Sequence, residues 1–168
     1  GRARRATGQS RPAEPLTTMR FAIAAASALI AAPSFTAQAP DLATANPIAG
    51  NWTYAATSDG SEAVFANESG FPQLWVQCRR AMRQVILARP ATAAAPLIDI
   101  WTSSQTRSVP ASFNPATGRL TIVLDSNDRL LDAIANSRGR LGFTVSLQPT
   151  LVVPAWAEAA RVVEDCRA

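Results

Sequence analysis

Between positions 51 and 154 the apolar residues fall in short alternating runs separated by turn residues, a pattern that favours an antiparallel β domain over a helical one. Asn51 to Ala56 places Trp52 and Tyr54 on one face, and Ser58-Asp59-Gly60-Ser61 supplies the turn into Ala63 to Asn67, which predicts a first hairpin. In the next run Leu74, Val76 and Cys78 share a face while Trp75 and Gln77 take the other. Gln84 to Arg89 and Pro96 to Ser103 follow as strands rich in β-branched or bulky residues, separated by the low-complexity turn Pro90 to Ala95. Arg107 to Asn114, the turn Pro115-Ala116-Thr117-Gly118, and Arg119 to Asp125 predict the clearest hairpin, with Leu120, Ile122 and Leu124 inward. Leu141, Phe143, Val145 and Leu147 alternate as a further strand, Leu151 to Val153 resumes after Pro149, and Pro154 ends the sheet region.

Two segments carry a helical period instead. Ser126-Asn127-Asp128 offers N-cap side chains ahead of Leu130, Leu131, Ile134 and Ala135, and Gly139 is expected to stop this short helix from a C′ position. Near the C-terminus Trp156, Ala159, Ala160 and Val163 form one stripe with Val162 and Cys166 beside it, while Glu158, Arg161, Glu164 and Asp165 point away. The expected fold is mainly β: an antiparallel β-sandwich or partly open barrel with one short inserted helix and a C-terminal amphipathic helix. Cys78 on the apolar face of a strand and Cys166 on the buried edge of the last helix are expected to form a structural disulfide. A redox-active pair is disfavoured, since the cysteines lack a CxxC spacing and the chain has no histidine.

Upstream lies an export signal. From Met19 the order is Arg20, an apolar run from Phe21 to Ala32, Pro33, then Ala37-Gln38-Ala39, which reads as a Sec-type leader over 19–39. The pair Arg4-Arg5 lacks the following apolar residue of a twin-arginine signal. Cleavage is expected after Ala39 or, because Pro40 obstructs that bond, after Ala45. Residues 1–18 are expected to be a disordered upstream extension, 40–50 a flexible lead-in, and 51–168 a single β-rich domain. No membrane span is expected after processing, and the mature chain is placed in the periplasm or outside the cell. Removing positions 1–39 takes away five of the sixteen basic residues, all arginines, and one acid, so the formal charge falls from +4 to zero. The basic excess therefore gives no argument for nucleic acid as a partner.

With no histidine and no lysine, the chain excludes Ser-His-Asp and Cys-His nucleophile systems, lysine Schiff bases and the usual zinc sites. No cofactor is expected. Carboxylate chemistry survives, and its candidates are Asp99, Asp125, Asp128, Asp132, Glu158, Glu164 and Asp165, none in a recognisable pair. The stretch from Asp125 lacks the glycine and glutamate of a calcium loop, with Leu130 and Asn136 in their places, and reads as a turn and cap. The sequons at Asn51 and Asn67 carry no function. Two arginine groups are candidate contacts for an anion or partner: Arg79 and Arg80, with Arg83 and Arg89 around the same hairpin, and Arg138 and Arg140 beside a helix terminus. Simple solvation or pairing with Glu158, Glu164 and Asp165 is the plainer reading of these arginines. Trp52, Trp75, Trp101 and Trp156 are expected mostly in the core rather than along a groove.

Ser137-Arg138-Gly139-Arg140, the strand after it, and Leu151 to Glu158 running into Arg161-Val162-Val163-Glu164-Asp165-Cys166-Arg167 resemble a family of small, uncharacterised exported proteins of Gram-negative bacteria. The resemblance implies export and transfers no activity to this chain. The plan of leader, early tryptophan, β hairpins and SRGR turn is also similar to periplasmic accessory proteins associated with secretion systems. The function expected is a non-enzymatic envelope accessory or binding module acting through surface contacts with another envelope protein or an anionic cell-wall component. The alternatives are a carboxylate-dependent hydrolase of a cell-wall glycan, which needs two acids converging in a cleft, and a secreted protein inhibitor presenting the Ala91 to Ala95 loop.

Overall fold

The alternating runs pair into two antiparallel sheets. In chain order the strands are β1 (Gly50–Thr57), β2 (Gly60–Asn67), β3 (Pro72–Arg79), β4 (Gln84–Pro90), β5 (Leu97–Trp101), β6 (Thr106–Pro110), β7 (Ser112–Asn114), β8 (Arg119–Asp125), β9 (Arg140–Thr144) and β10 (Leu151–Pro154), with helices α1 (Arg129–Ala135) and α2 (Ala157–Asp165). One sheet has the order β1-β2-β3-β4-β8-β7 and the other β10-β9-β5-β6. The computed structural model describes Asp41 and residues 44–168, so the leader expected at 19–39 and the extension 1–18 lie outside the described residues.

Register explains why one face of the six-stranded sheet is apolar. Trp52 sits opposite Phe65, which sits opposite Leu74; Ala63, Val76, Leu87 and Ile122 form the next row across four strands. Because side chains alternate with period two, every member of a row points the same way. Trp52 meets Phe65 edge-on with centroids 5.5 Å apart, and its indole N–H donates to the Pro154 carbonyl at 2.9 Å, tying β1 to the edge of the second sheet. Ile98, Ile100, Val109, Leu141, Phe143 and Val153 of the second sheet complete one continuous core with these rows. The sheets do not close on each other, so of the two expected architectures the sandwich is the one found.

Two strand expectations and one arginine grouping are corrected. Arg107 to Asn114 is not one strand: β6 ends at Pro110, and after Ala111 the chain enters the other sheet as β7. Proline cannot donate to a ladder, and the Ala111 N–H turns to the Pro96 carbonyl at the corner, 2.9 Å away. The strand expected through Leu147 stops at Thr144; Val145 is buried, whereas Leu147 stands fully exposed in a left-handed conformation, φ 63°. Arg89, expected with Arg79 to Arg83 around one hairpin, lies at the other end of β4 and inside the sandwich. It donates to the Phe143 carbonyl at 2.7 Å and the Pro149 carbonyl at 3.5 Å, and burial pulls its guanidinium below the ordinary arginine pKa.

Both helices are present, with altered ends. Asp128 caps α1 by accepting from the Leu130 N–H at 2.8 Å, but the helix ends at Asn136, so Gly139 belongs to the following turn, at φ 80°. In α2 the buried stripe is Ala159, Val162 and Val163 with Cys166; Trp156, expected in it, is the exposed N-cap residue, and Ala160 sits at the stripe's margin. The stretch expected as a lead-in makes contacts: the Ile48 N–H donates to the Val152 carbonyl and Arg140 donates to the Ala45 carbonyl, along the edge of β10.

Cys78 and Cys166 are bonded, joining β3 to the end of α2 across 88 residues. Gly60 passes against this bridge, and a β-carbon there would stand 2.6 Å from the Cys78 carbonyl oxygen at a φ of 146° that side chains avoid. On the chain-entropy estimate, a loop of this length stabilises the fold by up to about 4 to 5 kcal/mol. The Cys78→Ser/Cys166→Ser double variant is expected to unfold at markedly lower urea concentration than the oxidised parent, and reductant is expected to shift the parent alone. Equal midpoints for parent and variant would contradict the bridge's role.

Candidate functional site

The topology segregates charge. At one end of the sandwich the connections 68–71, 91–96, 111–118 and 145–150 contain a single ionisable residue, Glu68. The opposite end gathers the connections 58–59, 80–83, 102–105, 126–128 and 136–139 together with the C-terminus. Hydrogen bonds bind these loops to each other: Arg80 N–H to the Asp59 carbonyl, Ser126 N–H to the Arg83 carbonyl, and Arg167 Nε to the Ser126 carbonyl at 2.7 Å. Arg79, Arg80, Arg83, Arg129, Arg138 and Arg167 all belong to this end.

Within it, the β5–β6 connection and α1 border an open pocket of about 580 Å³ lined by Ser103, Ser104, Gln105, Arg129, Asp132, Ala133, Asn136 and Arg138. One wall is a closed hydroxyl turn. The buried Thr102 hydroxyl donates to the Gln105 carbonyl at 2.9 Å and accepts from the Gln105 N–H at 3.0 Å. That turn is stitched to the one after α1: the Ser103 N–H donates to the Ser137 hydroxyl, and the Arg138 N–H donates to the Ser103 hydroxyl, each at 3.0 Å. The Ser137 hydroxyl in turn donates to the Arg140 carbonyl at 2.9 Å, anchoring the seam to β9.

The α1 wall is set by two ion pairs, one at the helix cap and one on the lining residue Asp132. Arg107 on β6 grips Asp128 with two parallel bonds of 2.7 Å, and Arg167 reaches Asp132 at 2.6 Å. The Arg107 guanidinium, helped by the Leu130 N–H, holds the Asp128 carboxyl below its usual range. Among the described residues, the guanidinium groups of Arg129 and Arg138 have no hydrogen-bond or ion-pair partner. Two unpaired cations over a concave, hydroxyl- and amide-lined surface are suited to hold a negatively charged group.

The arginines singled out in the sequence separate. Arg138 lines this pocket; Arg140, two residues on, is committed to the Ala45 carbonyl. Arg79 lines a smaller depression, of about 230 Å³, with Thr57, Asp59, Ser61, Gln77 and Cys78, and Arg80 lies close enough to Asp165 to help lower its pKa, chiefly set by the Tyr54 hydroxyl donating at 2.5 Å. Arg129, Ser103, Ser104 and Gln105 were not singled out. The available signal was the uncharged run Thr102-Ser103-Ser104-Gln105 between two strands.

The acids are dispersed. Asp99 accepts from Ser108, Asp125 from the Asn127 N–H, and Asp128 and Asp132 serve their arginines. Glu158 and Glu164 share a groove of about 500 Å³ along α2 with Tyr54, Ala157, Ala160 and Arg161, whose guanidinium stacks on the Tyr54 ring at 4.0 Å. Of the tryptophans only Trp52 is a core residue; Trp75 lies under Arg119 on the outer sheet face, 3.6 Å from guanidinium carbon to ring centroid. No cluster of three or more metal-binding side chains occurs among the described residues. Comparison with family models, with curated proteins and with solved structures finds no match.

Asp128 is both helix cap and ion-pair partner, so it links pH to the pocket's shape. Its folded-state pKa is depressed, so its contribution is present above the unfolded value, roughly pH 4, and is lost as pH falls through the lower folded value. Asp128→Ala is expected to cost about 1 to 2 kcal/mol at neutral pH, and Asp128→Asn to flatten the acid limb of the stability curve. Urea titrations between pH 2 and 6 check this; an unchanged acid limb in Asp128→Asn would contradict it.

Proposed function

We propose that this chain is a non-enzymatic binding module of the bacterial envelope, exported by the segment 19–39 and engaging an anionic cell-wall component or another envelope protein through surface contacts. The observation that carries the reading is the pocket at the charged end, where Arg129 and Arg138 stand without partners above a hydrogen-bonded hydroxyl wall. Export is supported by the leader pattern, by the likeness of the C-terminal segment to small exported proteins of Gram-negative bacteria, and by the Cys78–Cys166 disulfide, which persists in oxidising compartments.

The hydrolase reading has less support, because Asp99, Asp125, Asp128 and Asp132 each serve a local hydrogen bond or ion pair and the shared Glu158–Glu164 groove has no tryptophan wall. The inhibitor reading has less support too: the Ala91 to Ala95 loop is held at both ends, by the Ala91 N–H on the Gly118 carbonyl and by burial of Ala95.

The test is crosslinking of the disulfide-bonded protein in envelope extract, run in parallel with Arg129→Ala/Arg138→Ala. A specific crosslinked product is expected with the parent and at least about tenfold less of it with the double variant, in keeping with the loss of two charge-assisted contacts. Equal yield from both proteins would remove the pocket from the function.

A further inference from the structure

The pocket's unused hydrogen-bonding capacity is more selective than a bare anion site. Its donors are the two free guanidinium groups and the Ser103 hydroxyl, whose oxygen already accepts from the Arg138 N–H and whose proton is uncommitted. Its acceptors are the side-chain carbonyls of Gln105 and Asn136, whose amide nitrogens point instead to the Arg129 carbonyl at 3.5 Å and the Asp132 carbonyl at 2.9 Å, and the second oxygen of Asp132, whose first is held by Arg167. These three acceptors lie open to water, so a ligand that carries O–H donors gains direct bonds to them which a ligand using the donors alone leaves to solvent.

Charge sets a second condition. Asp132 puts a carboxylate in the lining, which disfavours a ligand carrying several negative charges and favours one with a single anionic group and several neutral O–H donors. The volume of about 580 Å³ has room for a ring rather than only a small ion. We infer that the pocket takes a sugar acid, a saccharide unit bearing one carboxylate. Its carboxylate lies between Arg129 and Arg138, and its ring hydroxyls donate to Gln105, Asn136 and Asp132 while accepting from Ser103. This deepens the binding-module reading and rests on it.

The experiment is an amide-resolved NMR titration of the disulfide-bonded protein with four probes: glucuronate, glucose, acetate and inorganic phosphate. Glucuronate is expected to shift the amides of Ser104, Gln105 and Arg138 saturably, at least about tenfold more tightly than acetate or glucose, since it alone satisfies both halves of the lining. Arg138→Ala is expected to abolish saturation. Gln105→Ala, which removes an acceptor while leaving the backbone bonds of the turn, is expected to narrow the preference for glucuronate over acetate. Acetate or phosphate binding as tightly as glucuronate, or a preference untouched by Gln105→Ala, would overturn the sugar-acid assignment while leaving an anion site. No saturable shift with any probe would overturn the sugar-acid site and leave the binding-module reading to the crosslinking comparison.

Discussion

The pairing of β4 with β8 is the constraint on which the other parts depend. Seven residue pairs, from Gln84 opposite Asp125 to Pro90 opposite Arg119, join the β1–β4 meander to the only other strands of that sheet. Their partners are far apart in sequence, so the chain must close a long loop before the ladder repays it. Once formed, the ladder delivers the turn at 80–83 and the start of α1 to one end and the connections 91–96 and 115–118 to the other. The Ser126 N–H on the Arg83 carbonyl, at 2.8 Å, marks the point where the first end is fastened.

The disulfide and the ion pairs act on that end from outside the ladder. Cys166 holds the end of α2 to β3, which places Arg167 where it can reach both the Ser126 carbonyl and Asp132. Arg107 approaches α1 from the second sheet. The helix is thus held from both sheets, and Arg129 on the helix and Arg138 in the turn after it are left over after Asp128 and Asp132 have found partners. Arg89 shows the contrast: an arginine with no carboxylate neighbour inside the sandwich donates from its two terminal nitrogens to the Phe143 and Pro149 carbonyls while its Nε stays unpaired, and so ties β4 to β9 and the 145–150 connection.

Much of the strand pattern was legible in the residues because burial is one-sided. Leu74, Val76 and Cys78, and Leu120, Ile122 and Leu124, report their inward face by alternation alone, and the two cysteines could be paired because each shared a face with the core. The same logic fails where burial is decided by a distant partner. Leu147 continues the alternation of β9 by composition, yet β10 begins too soon for the ladder to extend, and Trp156 fits the helical stripe but precedes the helix. The change of sheet at Ala111 leaves only Pro110 as a local trace. For the site, Arg138 was readable as a guanidinium beside a helix end. Its fellow members were not, because the closeness of the 102–105 and 136–139 turns comes from β5 pairing with β9, and nothing local in either turn encodes it.

The proposed binding role requires a pocket already formed in the free protein, which depends on the seam between those two turns. Native-state hydrogen exchange of the Ser103, Gln105 and Arg138 amides tests this most directly, since each donates to a side-chain oxygen outside any regular ladder. Protection of these three amides approaching that of the β5 amides is the expected result. Exchange as fast as at the exposed Thr92 and Ala93 would contradict a preformed pocket.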